Sequence, residues 1–141
     1  MTNTNRRIVI TGMGAISPIG NSAQEIWRSL CDGVSGIDYL QRVPPDHLPS
    51  KVGGEARGFT GHIDEFGELE KMLKRNIKKG LKLMCREIEM GVAAAQHAIA
   101  NSAVGAGSYE PERIGTMFGS CLLYTSPSPR DATLSRMPSS A

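Results

Sequence analysis

Cysteine and histidine are the residues of this sequence that could act as nucleophile, general base or metal ligand. Three cysteines, Cys31, Cys85 and Cys121, are spread along the 141 residues. No Cys-x-x-Cys or His-x-x-x-His pair occurs, so the spacing indicates neither a metal site nor a disulfide framework. We expect Cys31 and Cys85 to be small buried hydrophobic residues. The three histidines are expected to be structural or exposed: His47, His62 and His97.

A glycine pair after an apolar run, Gly12-x-Gly14, could belong to a dinucleotide-binding loop. That loop requires a third glycine three residues later at the mouth of a helix, and an acid about 20 residues further on. Ser17 stands at the third position and Pro18 follows it, while Asp32 lies near a helix end rather than at the tip of a strand. These departures argue against nicotinamide binding, and we expect no cofactor.

A basic segment, Lys71–Arg86, is the other chemically distinctive part of the chain. It could be a solvated helix face or a docking surface for an acidic partner. A stand-alone binding module that uses the segment, including one for nucleic acid, is an alternative function. The net charge of +2 is too small to indicate nucleic acid by itself. The segment contains seven basic residues in sixteen positions: Lys71, Lys74, Arg75, Lys78, Lys79, Lys82 and Arg86.

The elements that must position these residues can be predicted from hydrophobic periodicity and from glycine and proline. We predict strands at 7–12 and 113–119, a short strand at 51–57 with a possible glycine bulge, and irregular surface at 34–49. Helices are predicted from Asn21 or Ser22 to Gly33, in part of 65–79, and at 84–100, where Met84, Ile88, Val92, Ala95 and Ile99 share one face. Strand, helix, helix, strand predicts an α/β layer with a parallel pair.

Two features bear on location. No apolar run approaches the roughly 20 residues that a membrane helix needs. The run Ile8–Ile10 near the start is too short for the core of a signal peptide. Both observations predict a cytoplasmic protein without a membrane association.

The last 21 residues, 121–141, differ in character from the rest and include Pro127 and Pro129. In a single reading frame, residues 121–131 and 135–141 match two translated segments of a common transposase-type sequencing adapter. Ala132–Leu134 then correspond to the sample index between those segments. We therefore interpret residues 121–141 as a translated adapter tail, expect it to be disordered, and leave Cys121 out of the functional argument.

Residues 6–120 together resemble the start of β-ketoacyl-(acyl carrier protein) synthases of the elongating type. Each motif is weak alone, but their order along the chain is specific. The matching residues are Thr11-Gly12-Met13-Gly14, Ser17-Pro18-Ile19-Gly20-Asn21, Trp27, Leu30, Gly33-Val34-Ser35-Gly36-Ile37, Lys82-Leu83-Met84, Ala93-Ala94-Ala95, Arg113-Ile114-Gly115 and Gly119-Ser120.

The resemblance implies a partial thiolase-like fold, the amino-terminal portion of its first half, with a layered sheet between helices. It implies a parent homodimer that performs decarboxylative Claisen condensation on acyl and malonyl thioesters of acyl carrier protein, without metal or redox cofactor. In that family a cysteine in an Ala-Cys-x-(Ser/Thr)-Gly turn is the nucleophile and two histidines assist. No cysteine or histidine of this chain matches those motifs, so residues 1–120 are expected to be incomplete and inactive.

The resemblance also suggests where acyl carrier protein would dock. Lys79 and Lys82 stand at positions where the family carries basic docking residues, just before a long helix. Leu83 stands where another basic residue is common, so the docking surface is expected to be shifted in this chain.

Overall fold

A computed structural model describes residues 7–42, 44, 48–102, 104 and 107–119. The chain divides into two units, residues 1–108 and residues 109–141. The first unit contains α1 (Ala23–Cys31), β1 (Ile37–Tyr39), β2 (Val52–Gly54), a 3-10 turn (Ile63–Phe66), α2 (Lys71–Gly80) and α3 (Arg86–Asn101). The second unit contains a short 3-10 turn at Pro111–Arg113. Helix and strand are thus both present, as an α/β class requires.

Helix α1 begins and ends at the predicted residues. The Ser22 hydroxyl accepts the amide of Glu25 at 3.2 Å, and the Glu25 carboxylate accepts the amide of Asn21 at 2.8 Å. These two bonds satisfy amides that a helix start leaves without partners. Gly33 follows the helix with a φ of 67°, a left-handed conformation that favours glycine.

The two strands form an antiparallel hairpin rather than part of a parallel layer. Ile37 pairs with Gly54 and Tyr39 with Val52, and the pairing between them is continuous, without a bulge. The strand predicted at 51–57 is therefore confirmed in a shorter form, while the predicted bulge and the fully irregular loop at 34–49 were wrong. Arg57 stabilises the hairpin, since its guanidinium binds the carboxylate of Asp38 at 2.8 Å.

The strands predicted at 7–12 and 113–119 are absent from the described residues. Both segments keep their apolar side chains exposed; Ile8 is 96% and Met117 97% accessible. An extended segment becomes a strand only when another segment supplies hydrogen-bond partners. The prediction of strands here was therefore wrong for the described residues, which place no partner strand beside either segment.

A small core lies between the turn region and the two later helices. Phe59 and Phe66 are fully buried and their ring centroids are 5.9 Å apart at a tilted angle. Ile77 of α2 and Ala93 of α3 close the cluster. Glu65 supports the turn by accepting the amides of Thr60 and His62; partial burial would raise the pKa of Glu65, but these hydrogen bonds lower it below its ordinary 4.5.

Helix α3 confirms the predicted helix at 84–100, but the face predicted for it meets the core only in part. The stripe that faces the core is Arg86, Met90, Ala93 and His97, spaced i, i+4, i+7, i+11. Of the predicted stripe, Val92 packs against the core, whereas Ile88 and Ile99 are about half exposed. The charged Arg86 and the polar His97 concealed this face from a search for apolar periodicity.

We predict that the 141-residue chain does not unfold in one steep cooperative transition. The described residues contain six buried hydrophobic residues against twenty exposed large ones, which is a small core for a stability of about 5–15 kcal/mol. Urea titration followed by circular dichroism should show a gradual loss of helix, and hydrogen exchange should show the strongest protection in α3. A steep transition with protected amides at 7–12 and 113–119 would contradict this prediction.

Candidate functional site: a basic face on α2

The candidate site is the solvent-facing side of α2 and of the turn that follows it. Ile77 is the buried residue of α2 and turns the helix toward the core. Four cations share the outer side at spacings of i, i+4, i+7 and i+11, which places them on one stripe of a helix. We call this set the basic stripe, and all of its members are exposed: Lys71, Arg75, Lys78 and Lys82.

The two lysines predicted to dock a carrier protein lie at the end of this surface. Lys79 is in the last turn of α2, and Lys82 is in the turn after it; both are exposed. The turn keeps a helix-like course but is tighter, since the Leu81 amide donates to the Ile77 carbonyl at 2.8 Å and the Gly80 carbonyl accepts the amides of both Leu83 at 2.8 Å and Met84 at 3.1 Å. Lys82 therefore belongs to the basic stripe, and Lys79 lies beside it.

Lys74 has a structural role. Its Nζ lies 2.6 Å from Oδ1 of Asp64 in the 3-10 turn and ties α2 to that turn. The hydrogen bond and the charge of Lys74 hold the pKa of Asp64 below its ordinary value of 3.8. Because both side chains are about half exposed or more, this ion pair orients the helix more than it stabilises it.

Arg86 is not part of the exposed basic surface, which corrects the predicted extent of the basic segment. Its guanidinium donates to the carbonyls of Ala56 at 2.8 Å and Phe59 at 2.6 Å, and lies 5.4 Å from the centre of the Phe59 ring. The residue thus satisfies buried backbone at the start of α3. The sequence analysis counted Arg86 as a surface charge because no neighbouring residue indicates that one helix ends and another begins just before it.

In the part of the chain that the structure describes, no hydrogen bond joins a cysteine to a histidine. Cys31 and Cys85 are exposed rather than buried, because Cys31 ends α1, which buries no residue, and Cys85 caps α3 at a surface turn. His97 contacts the Glu65 carbonyl through Nε2 at 2.8 Å. Within the described residues no set of three or more acidic, cysteine or histidine side chains could hold a metal. His47 and Cys121 lie outside the described residues.

The glycine pair Gly12 and Gly14 has a packing role. A Cβ at Gly12 would come within 2.2 Å of the Ala98 carbonyl, and one at Gly14 within 2.0 Å of the Ala94 carbonyl. The segment therefore rests directly on α3, where alanines permit the approach. The Met13 amide donates to Asn101 at 3.1 Å and fixes this contact.

An open apolar groove of about 670 Å³ lies between this segment and α1. None of its lining side chains titrates, so the groove offers no acid, base or nucleophile. It is lined by Gly12–Ala15, Ala23, Ile26, Trp27, Leu30 and Ala98.

Among the residues that the structure describes, no helix is both long and apolar enough to cross a membrane.

Comparison with known proteins assigns the chain to a family. The family described as "Beta-ketoacyl synthase, N-terminal domain" matches residues 5–138. A 3-oxoacyl-[acyl-carrier-protein] synthase 2 of Staphylococcus aureus (strain COL) is 33% identical over 118 residues, 82% of this chain and 25% of the relative. The protein of the same name from Vibrio harveyi is 30% identical over 117 residues, 83% of this chain and 26% of the relative. The chain thus spans about a quarter of the curated relatives it matches.

We predict that Arg86→Met speeds hydrogen exchange of the backbone amides at the start of α3, whereas Arg75→Met does not. Both changes remove one guanidinium, but only the first leaves the inward-facing Phe59 carbonyl without a donor, at about 1–3 kcal/mol for an unsatisfied group. The Ala56 carbonyl keeps the amide of Phe59 at 3.2 Å. Hydrogen exchange of the first two turns of α3 should quicken at least tenfold in Arg86→Met. Equal exchange in the two variants would show that the Arg86 contacts carry no stability.

Proposed function

The chain belongs to the β-ketoacyl synthase family, and we propose that it is the amino-terminal part of a 3-oxoacyl-(acyl carrier protein) synthase of the elongating type, whose remaining task in this chain is to dock the carrier. The parent enzyme would extend fatty-acid or polyketide chains by decarboxylative Claisen condensation, as a cytoplasmic homodimer with a thiolase-like layered fold. Support comes from the order of motifs across residues 6–120 and from the family match over residues 5–138.

The observation that carries the docking role is the basic stripe with Lys79 beside it. Five exposed cations lie on α2 and the turn that follows it, and within the described residues none of them is within ion-pair distance of a carboxylate. Such a surface attracts an acidic partner over a distance and orients it on arrival. Lys74 and Arg86, which are bound to Asp64 and to backbone carbonyls, add little to recognition.

Condensation itself needs groups that we propose this chain does not supply. A thioester-accepting cysteine must be activated, and an oxyanion must be stabilised as the enolate forms. Cys31 and Cys85 lie at helix ends in contexts that do not resemble the nucleophile turn of the family. We further propose that residues 121–141 are adapter-derived and take no part in function; residues 120–141 lie outside the described part of the chain.

The docking proposal predicts that Lys79→Glu plus Lys82→Glu weakens binding of acyl carrier protein by about tenfold at low salt, because two attractions become repulsions. The difference should shrink as added salt screens the charges. Calorimetry or nuclear magnetic resonance titration of the 141-residue chain measures the affinity.

The matched control is Arg28→Glu plus Lys51→Glu, which makes the same net charge change at exposed positions outside α2. It should bind the carrier nearly as well as the unmodified chain. Equal loss in both double variants would reduce the effect to net charge. Tighter binding of a duplex oligonucleotide than of the carrier, abolished by Lys79→Glu plus Lys82→Glu, would favour the stand-alone binding module instead.

We also predict that the chain does not condense acyl and malonyl groups. Incubated with acyl and malonyl carrier proteins, it should yield no 3-oxoacyl product by mass spectrometry, because no cysteine stands in a nucleophile turn. Decarboxylation of malonyl carrier protein should also stay at the level of a sample without protein. Product formation that is lost in Cys31→Ala or Cys85→Ala would overturn the proposed division between docking and chemistry.

A further inference from the structure

The surface beside the basic stripe carries a second, differently composed stripe. Shifted by one residue, it repeats the same spacing of i, i+4, i+7 and i+11, so the two stripes run side by side along the helix. We call it the mixed stripe, and every member is exposed: Met72, Asn76, Lys79 and Leu83. Its two ends are apolar and its middle is polar or positively charged.

Met72, near the start of α2, and Leu83, in the turn after it, are large apolar side chains that lie open to solvent. Met72 is 65% and Leu83 90% accessible, whereas Ile77 of α2 is 6% accessible in the core. At about 100° per residue, Met72 lies roughly 140° around α2 from Ile77, so it cannot join that core without turning the helix. A single exposed leucine is ordinary. Met72 and Leu83, however, stand at the two ends of one stripe beside four cations, and together these side chains form a surface.

We infer that Met72 and Leu83 are apolar anchors for the partner, which lies lengthwise along α2 with its acidic residues on the basic stripe. The inference rests on the proposed docking function and adds to it the apolar part of recognition. The anchors are eleven residues apart, one near the start of α2 and the other three residues past its end, so a partner helix of about three turns would meet both. The fitting partner is an acidic protein that presents a helix with carboxylates on one side and apolar residues at both ends of the adjoining side.

The two stripes divide the work of recognition. Charges that remain partly hydrated raise the encounter rate and set the orientation, and their effect falls with salt. Apolar side chains that leave water on contact lower the dissociation rate, and their effect does not depend on salt in this way. Leu83 is well placed as an apolar anchor because it directly follows Lys82 of the basic stripe, in the turn after α2.

The test measures acyl carrier protein binding to the 141-residue chain across a salt series. We expect Met72→Gln and Leu83→Gln each to raise Kd about fivefold while the slope of log Kd against log salt stays unchanged. Lys78→Gln should instead reduce that slope. Ile99→Gln, an exposed apolar residue on α3, is the matched control and should leave Kd within twofold. Circular dichroism of every variant checks that helix content is retained.

The outcomes separate this inference from the docking proposal. If Lys79→Glu plus Lys82→Glu weakens binding but Met72→Gln and Leu83→Gln do not, the carrier docks by charge alone. The inference that Met72 and Leu83 are apolar anchors would then be wrong. If no variant changes the affinity, the docking proposal fails with them. A lengthwise contact also predicts resonance shifts at both Met72 and Leu83 on carrier addition; shifts at one end only would contradict the orientation.

Discussion

The contact on which the rest of the described structure depends is that of Arg86 with the segment before the 3-10 turn. Its guanidinium binds the carbonyls of Ala56 and Phe59 and covers the ring of Phe59, which packs on Phe66. One side chain thereby joins the end of the hairpin, the aromatic core and the first turn of α3. Because α3 starts at Arg86, the same contact ties the end of the turn that carries Lys82 to the core.

Residues of the same charge have separate roles along this short stretch. Lys74 is held by Asp64 and sets the position of α2 on the turn, whereas Arg86 is drawn inward because backbone carbonyls without donors are costly to bury. Lys78 and Lys82 meet no such demand and stay in water. A count of basic residues therefore overstates the docking surface, and the geometry selects the members that can meet a partner.

The exposed apolar residues have two different explanations. Ile8 and Met117 lie in segments with the composition of buried strands, and family membership accounts for that pattern: a sheet strand is apolar on both faces when layers cover it. Met72 and Leu83 instead interrupt a charged surface on a helix, where no strand pattern requires them. For that reason we propose that the first pair packs within a larger fold and that the second contacts a partner.

What the sequence determined by itself was local. The Ser22 cap with Glu25, the end of α1 at Gly33 and the existence of α3 all follow from residue preferences within a few positions. The docking role of Lys79 and Lys82, which comes from motif order, stays a prediction. Tertiary structure alone decided which face of α3 is buried, the β1–β2 pairing and the inward turn of Arg86. Each of these depends on a partner distant in sequence, and neither periodicity nor charge along one element contains that information.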